Sequence, residues 1–125
     1  MADNRKYYYL KLKENFFDSD SIVLLEDMKD GILYSNILLK LYLKSLKNGG
    51  RLQLDEHIPY TAQMIATLTR HQIGTVERAL AIFQQLGLVE QLDCGLLYMT
   101  DIELMIGQSS TCLLYTSDAA DDLIG

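Results

Sequence analysis

Apolar residues recur at three- and four-residue spacing between Ile73 and Gly87, and this period predicts an amphipathic α-helix. The inward side of that helix would carry Ile73, Val76, Ala79, Leu80, Phe83 and Leu86. The outward side would carry Gly74, Glu77, Arg78, Ala81 and Gln85. Gly87 favours the left-handed conformation that ends a helix. We therefore expect a half-buried helix with one polar face.

A shorter helix is predicted directly upstream, from Thr61 to Leu68. Pro59 favours a break before it, and the Thr61 hydroxyl can cap its first turn. Its inward residues would be Met64, Ile65 and Leu68. Only Thr69 to Gln72 separate the two helices, so they must cross at a sharp angle. This arrangement is a helix-turn-helix.

A β-hairpin is predicted after the second helix. Two short strand-like runs, residues 89–92 and 96–99, flank the turn signal Asp93-Cys94-Gly95. Residues 51–54 predict a further short strand, which we expect to pair with the hairpin. Helix, tight turn, helix and hairpin is the order of elements in a winged helix.

The N-terminal half adds further predicted elements. Residues 6–13 alternate between two faces, which predicts a strand with one buried side. Residues 22–28 predict a short helix, and residues 32–47 a long helix that is apolar over most of its surface and should be covered on more than one side. Thr100 and Glu103 form a capping-box pattern for a brief helix to Ile106. The predicted fold class is mainly α with a small β-sheet (α+β), a winged helix-turn-helix with an extra N-terminal strand and helix.

The composition is that of a folded domain. The 125-residue chain is 49% hydrophobic and 22% charged, which fits a single core. No apolar run approaches the roughly 18 residues of a membrane span, and no apolar stretch of a secretory signal follows the charged start. Cys94 and Cys112 lack metal-ligand spacing. We expect a cytoplasmic protein of a bacterial host, with no membrane contact, metal or cofactor.

The end of the chain differs in character from the rest. Residues 112–121 resemble the translation of a transposase-type sequencing adapter, so we expect a native domain of residues 1–110 and a non-native tail of residues 111–125. Without Asp118, Asp121 and Asp122 of this tail, 14 of the 17 acidic residues remain against 11 basic ones, and the net charge is −3 rather than −6. This charge neither supports nor excludes DNA binding.

The predicted helix-turn-helix presents residues suited to DNA. A helix that reads the major groove exposes hydrogen-bonding side chains in its N-terminal turn, with cations nearby for phosphates. The candidates for groove contact are Arg70, His71, Gln72, Thr75 and Arg78. The candidates for phosphate contact are Lys40, Lys44, Lys47 and Arg51. The alternative is that these are ordinary solvated residues on an interaction helix, and Glu77 counts against groove insertion.

Other chemistry has less support in the sequence. The hairpin turn at Asp93-Cys94-Gly95 offers no Arg or Lys for the minor groove. His57 and His71 have no metal-ligand spacing with Cys94. No nucleophile elbow, P-loop or paired-carboxylate motif is present. We therefore expect no catalytic residues and no enzyme.

Several stretches together resemble the N-terminal domain of phage replisome organiser proteins. They cover most of residues 6–110 and comprise residues 7–13, 16–19, 41–46, 50–52, 58–61, 75–80, 86–89 and 106–107. The first stretch, Tyr7-Tyr-Tyr-Leu-Lys-Leu-Lys13, and the last, Ile106-Gly107, are the more specific. The helix that ends in Leu-Gly-Leu-Val recurs in many winged-helix families.

The resemblance implies a protein of phages, prophages or related plasmids that binds double-stranded origin DNA. It also implies recruitment of host helicase-loading proteins through regions that follow this domain. A related fold occurs in DnaD-type primosomal proteins, whose winged helices can serve oligomerisation. Two alternatives therefore stay open beside a replication initiator: a winged-helix transcriptional regulator, and a DnaD-like oligomerisation or protein-interaction module.

The strand from Tyr7 to Lys13 has two possible partners. A tyrosine-rich terminal strand can pair across a two-fold axis and form a homodimer, because tyrosine buries a large area at low entropic cost. It can equally pair within the chain and cover the core. The sequence favours neither arrangement.

Overall fold

A computed structural model describes residues 6–92 and 95–110 of the chain. The helices in this part are α1 (Asp20–Asp27), α2 (Gly31–Ser45), α3 (Ala62–Thr69) and α4 (Ile73–Gln85). The strands are β1 (Lys6–Leu10), β2 (Arg51–Asp55), β3 (Ile58–Pro59), β4 (Val89–Gln91), β5 (Leu97–Met99) and β6 (Ile106–Ser110). Short 3₁₀ turns occur at Phe16–Asp18, Leu46–Asn48 and Ile102–Leu104. The predicted α+β class is confirmed, including the extra N-terminal strand and helix.

The main sheet has the strand order β3-β2-β5-β4, and all its pairings are antiparallel. The predicted hairpin is present, with Val89 opposite Met99. The predicted strand after α2 pairs with it, with Arg51 opposite Tyr98. Strand β3, whose two residues extend the sheet beyond β2, was not among the predicted elements.

The helical corner forms as the sequence predicted. The Thr61 hydroxyl accepts a hydrogen bond from the backbone N–H of Met64 at 3.1 Å, so it caps α3. The turn into α4 comprises Arg70, His71 and Gln72, and Arg70 adopts a left-handed conformation at φ 64°. A left-handed residue that follows a helix turns the chain sharply. Only three residues therefore lie between the end of α3 and the start of α4.

Two helix faces are rotated slightly from their predicted positions. Leu68 and Ile73 were expected to face inward, but both are exposed. Thr69 is fully buried instead. Its hydroxyl donates to the Ile65 carbonyl at 2.7 Å, so the buried hydroxyl keeps a hydrogen-bond partner. The predicted inward position of Ile65 is confirmed.

The core lies where α2 and α4 meet the main sheet. Its fully buried side chains include Ile37, Leu38, Leu41, Leu52, Val76, Phe83 and Met99. The long helix α2 is buried along much of its length, as predicted, yet Ile32, Leu33 and Leu43 stay exposed. Its apolar surface is therefore covered only in part within the described residues.

The segment after β5 differs from the prediction. The expected capping-box helix from Thr100 to Ile106 is wrong: the Thr100 hydroxyl donates to the Gly87 carbonyl at 2.6 Å, and only one 3₁₀ turn forms. The chain then continues as β6, which pairs antiparallel with β1, with Leu10 opposite Ile106. This pairing is the intramolecular arrangement of the N-terminal strand. The strand ends at Leu10 rather than at Lys13.

Some predictions fall on residues that the structure does not describe. The hairpin turn at Asp93 and Cys94 and the tail of residues 111–125 lie outside the described residues. Within the described ranges, no helix is long and apolar enough to cross a membrane.

Candidate nucleic-acid interface

The exposed side of α4 is polar and carries one cation. Its exposed polar side chains are Gln72, Glu77, Arg78, Gln84 and Gln85. Thr75 was predicted to be an exposed candidate for groove contact, but it is only 8% exposed. Thr75 lies one position before Val76 on the inward half of the helix, so its predicted exposure is wrong. We omit it from the candidate interface.

Arg78 lies across the start of α2. Its Nε donates to the Tyr34 hydroxyl at 3.3 Å, and its Nη2 is 4.0 Å from Asp30 Oδ2. The hydrogen bond to Tyr34 is the main reason that the pKa of Arg78 is raised. The Arg78 side chain is 58% exposed, and it passes close to Gly74, where a Cβ would lie 3.6 Å from Nη1. The hydrogen bond to Tyr34 therefore fixes one edge of the guanidinium, and the other edge is open to a ligand.

His71 connects the turn between α3 and α4 to the middle of α2. Its Nε2 is 2.8 Å from Asn36 Oδ1. An amide oxygen only accepts, so the imidazole carries a proton on Nε2. Desolvation of the ring and the charge of Lys40 lower the pKa of His71 from its usual value of 6.5. His71 is thus a neutral turn residue with one fixed hydrogen bond.

Lys40 has a structural partner that the sequence did not reveal. Its Nζ donates to the Thr69 carbonyl at 2.7 Å, one of the carbonyls left free at the C-terminal end of α3. A cation at a helix C-terminus also interacts favourably with the helix dipole. Lys40 therefore holds α3 against α2, and its charge is still only partly buried.

A concave opening next to Lys40 collects further cations. It has a volume of about 350 Å³ and is lined by Lys40, Leu43, Lys44, Leu68 and Arg70. We call it the cationic pocket. Lys44 and Arg70 are exposed, and no acidic residue of the described ranges lines the opening. The structure thus brings together three of the predicted cations, from two different helices.

The other two candidates for phosphate contact, Lys47 and Arg51, do not line the cationic pocket. Lys47 belongs to the 3₁₀ turn after α2, and Arg51 starts β2. Arg51 Nη1 donates to the Asn48 carbonyl at 3.5 Å, which is a weak contact. Both side chains are exposed.

Helix α2 contacts three of the candidate groups at successive positions along its length. Arg78 contacts it at Tyr34, His71 at Asn36, and the α3 terminus at Lys40. From Asp30 to Lys44 these positions span about 21 Å along the helix axis. The four-residue spacing of Asn36, Lys40 and Lys44 was visible in the sequence. The contacts of Asn36 with His71 and of Lys40 with the end of α3 were not.

Protonation of His71 is expected to lower stability in mild acid. The pKa of His71 is lower in the folded than in the unfolded protein, so its stabilising contribution is present above pH 6.5 and is lost as the pH falls through the folded value. Urea unfolding from about pH 7.5 to about pH 5.5 should show a smaller loss of stability for His71→Gln than for the natural chain. Identical losses in the two proteins would contradict the role of His71.

Comparison with known proteins identifies the family of the chain. Residues 9–113 match the N-terminal phage replisome organiser family (Phage_rep_org_N). Comparison with curated proteins and with solved structures gave no significant match. The family match covers well over half of the chain and agrees with the resemblance noted in the sequence. The chain therefore belongs to the N-terminal phage replisome organiser family.

Proposed function

We propose that this chain is the DNA-binding domain of a phage or plasmid replication initiator, which binds double-stranded origin DNA without a catalytic step. The observation that carries the proposal is the position of Lys40, Lys44 and Arg70 around one opening, directly before the exposed start of α4. Family membership supports a role in replication. In this proposal the protein works in the bacterial cytoplasm, and regions after the domain contact host helicase-loading proteins.

The cationic pocket supplies the phosphate contacts of the proposed interface. A phosphodiester needs cations and hydrogen-bond donors that converge, and each neutralised phosphate releases counterions from DNA. Lys44 and Arg70 are exposed and Lys40 is held between them by its bond to Thr69. Lys40 and Lys44 lie one helical turn apart on α2, about 6 Å along its axis, and Arg70 faces them from the end of α3, so the three cations converge on one opening.

The first turns of α4 supply the contacts to base edges. Gln72 and Arg78 are exposed there, and their side chains form paired hydrogen bonds with adenine and guanine respectively. Gly74 is half-buried and has no side chain that would keep the backbone from the groove. Glu77 on the same face can only accept hydrogen bonds, so it favours bases with an amino group in the major groove, cytosine or adenine, and restricts the choice of sequence.

A salt titration with duplex DNA tests this proposal. The probe is a set of duplexes of about three helical turns, tiled across the replication region around the protein's own gene. We expect one duplex to bind best, with affinity that falls steeply between about 50 and 200 mM salt. An affinity that depends neither on the sequence of the duplex nor on the salt concentration would overturn the proposal.

Lys44→Ala is expected to reduce the slope of log affinity against log salt by about one, because one phosphate contact is lost. Arg70→Gly should act in the same way. Glycine adopts the left-handed conformation of this residue without strain, so the turn itself should persist. Lys13→Ala removes an exposed cation on the opposite side of α2 and serves as the control. An unchanged slope for both Lys44→Ala and Arg70→Gly would remove the cationic pocket from the interface.

A protein-interaction module is the second candidate function. It is favoured by Leu43 and Leu68, two exposed leucines that line the cationic pocket between its lysines and arginine. Such a module would pair copies of the domain, through this opening or through β1, as in the proposed homodimer. Sedimentation that shows a dimer, together with no salt-dependent DNA binding, would support it. A gene position beside a promoter that the protein represses would instead indicate a transcriptional regulator.

A further inference from the structure

Helix α1 exposes two apolar side chains between two acids. Asp20, Val23, Leu24 and Asp27 recur at three- and four-residue spacing, so they share one face of the helix. We call these four residues the α1 face. Val23 and Leu24 are 50% and 56% exposed, and both acids are exposed without a salt bridge in the described part of the chain. The α1 face is therefore apolar at its centre, acidic at both ends and uncovered within residues 6–92 and 95–110.

The charge of the α1 face is not balanced by the residues around it. Helix α1 contains three acids, of which Glu26 is the third, and no basic residue. The nearest cation in the sequence is Lys29, two residues beyond the helix. Lys11 and Lys13 line a concave site of about 430 Å³ on the other side of α1, and two acids line the same site. Those two lysines therefore do not offset the α1 face, which stays acidic.

A basic surface with the same spacing lies on α2. Lys40, Leu43, Lys44 and Lys47 are three and four residues apart on α2 and the 3₁₀ turn that continues it, and we call them the α2 stripe. Leu43 is 54% exposed, and Lys40 retains two N–H donors beside its bond to Thr69. Neither α2 nor α3 contains an acidic residue. The α2 stripe is therefore basic and partly apolar, and its charge is opposite to that of the α1 face.

The two surfaces match position by position when their helices run antiparallel. Each spans seven residues, about 10 Å along a helix axis. When Leu24 lies opposite Leu43, the two acids of the α1 face come opposite the outer lysines of the α2 stripe. Val23 then lies against the methylene groups of Lys44. The ion pairs orient the two surfaces, and the apolar side chains that leave water supply most of the attraction.

The two surfaces cannot meet within one copy of the chain. Helix α1 lies beside Tyr42, because Ile22 and Tyr42 line the same concave site, together with Ser21, Leu88 and Met105. Tyr42 is two residues from Lys40 and from Lys44, which places it about 160° around α2 from both. The α1 face and the α2 stripe therefore lie on opposite sides of α2. A contact between them joins two copies and leaves one surface free on each.

We propose that copies of this chain associate head to tail, with the α1 face of one copy docked on the α2 stripe of the next. The docked helix covers Leu43 and the neighbouring Leu68, which are exposed in the single copy. The contact involves one helix face on each side, so it is weak and transient. We expect a monomer below about 50 µM and association as the concentration approaches about 1 mM. Salt weakens the contact because its charges are exposed.

The α2 stripe takes part both in this contact and in the proposed DNA interface. Lys44 cannot meet a phosphate and the α1 face of another copy at the same time. Duplex DNA should therefore dissociate the associated copies. This consequence rests on the proposed function, whereas the association itself does not. DNA titrations below about 50 µM protein report on single copies, because the monomer prevails there.

Two variants, each lacking one half of the contact, test the proposal by sedimentation equilibrium of the full chain. Asp20→Asn with Asp27→Asn neutralises the α1 face, and Lys44→Gln with Lys47→Gln neutralises part of the α2 stripe. At about 1 mM protein and about 50 mM salt, the natural chain should associate beyond a dimer, and each variant alone should stay monomeric. An equimolar mixture of the two should form dimers and nothing larger, because only one intact contact exists per pair. A monomeric natural chain, or a mixture that does not associate, would overturn the proposal.

A control variant separates the α1 face from net charge. Glu90→Gln with Glu103→Gln removes two exposed acids elsewhere in the described chain and should associate as the natural chain does. The α1 variant should keep its affinity for duplex DNA, since neither of its substitutions lies in the proposed DNA interface. Loss of association in the control as well would show that net charge, not the α1 face, governs it, and would contradict the proposal. A chain that associates in this way but binds no DNA would leave the head-to-tail contact intact and refute only the proposed function.

Discussion

Arg78→Ala is expected to weaken binding of the domain to its own duplex by roughly five- to 150-fold, the loss that follows when one paired contact to a base edge is removed. Arg78 lies on the exposed side of α4, and only its Nε is engaged by Tyr34. The two Nη groups retain donors for a guanine. The ion pair with Asp30 spans 4.0 Å and is exposed, so DNA can displace it at little cost. Fluorescence anisotropy with matched and unrelated duplexes measures the effect.

The loss should depend on the sequence of the duplex. Arg78→Ala should reduce affinity for the preferred duplex more than for an unrelated one, because a base contact is lost in addition to a charge. Arg78→Lys retains the charge but not the paired hydrogen bonds. It should therefore keep only the part of the affinity that is the same for all duplexes. Tyr34→Phe is the control for the anchoring hydrogen bond and should have a smaller effect. An equal loss on every duplex would place Arg78 on the phosphate backbone.

Phe83→Ala is expected to lower the free energy of unfolding by about 3–5 kcal/mol. Phe83 is fully buried and is among the largest fully buried side chains of the core. It lies on the inward face of α4, one helical turn after Ala79, where α4 approaches α2 and the sheet. Removing the ring would leave a cavity that the neighbouring side chains fill only partly. Urea unfolding of the two proteins measures the difference.

Ile32→Ala is the matched control for this loss. Ile32 is a large apolar residue of similar type in α2, but it is 68% exposed, so its truncation should change stability by less than about 0.5 kcal/mol. A loss for Phe83→Ala as small as that for Ile32→Ala would mean that α4 does not pack on α2 and the sheet as described.

Local patterns were sufficient for the helical corner and the hairpin. The period of Val76, Ala79 and Phe83 identified the buried face of α4, and Thr61 identified the start of α3. These features depend on residues that lie within one or two helical turns of each other. The hairpin was equally local, since only five residues separate β4 from β5 in the sequence.

The β1–β6 pair could not be recognised in the same way. Leu10 pairs with Ile106 across most of the chain, and the short pattern around Ile106 carries no information about a partner so distant in sequence. The local capping pattern of Thr100 and Glu103 pointed to a helix instead. Tertiary pairing outweighed this weak local preference.

The candidate interface was predicted residue by residue but not as a set of contacts. Periodicity placed Lys40 and Lys44 on one stripe of α2, yet gave no sign that Lys40 would bond the end of α3. Thr75 was chosen for groove contact as a hydrogen-bonding residue of the first turn, although the structure buries it. Tyr42 belonged to the apolar face in the sequence, and only the structure shows that its hydroxyl lacks a partner in the described part of the chain.

Mapping the DNA-bound face by NMR is the most direct measurement of the central claim. The ¹⁵N-labelled chain is titrated with the duplex that binds best in the salt titration. We predict that amide signals of Arg70, Gln72 and Gly74 change most and that those of Ser21, Leu88 and Met105 stay in place. Changes confined to the second group, or to β1, would contradict a DNA interface formed by α4 and the cationic pocket.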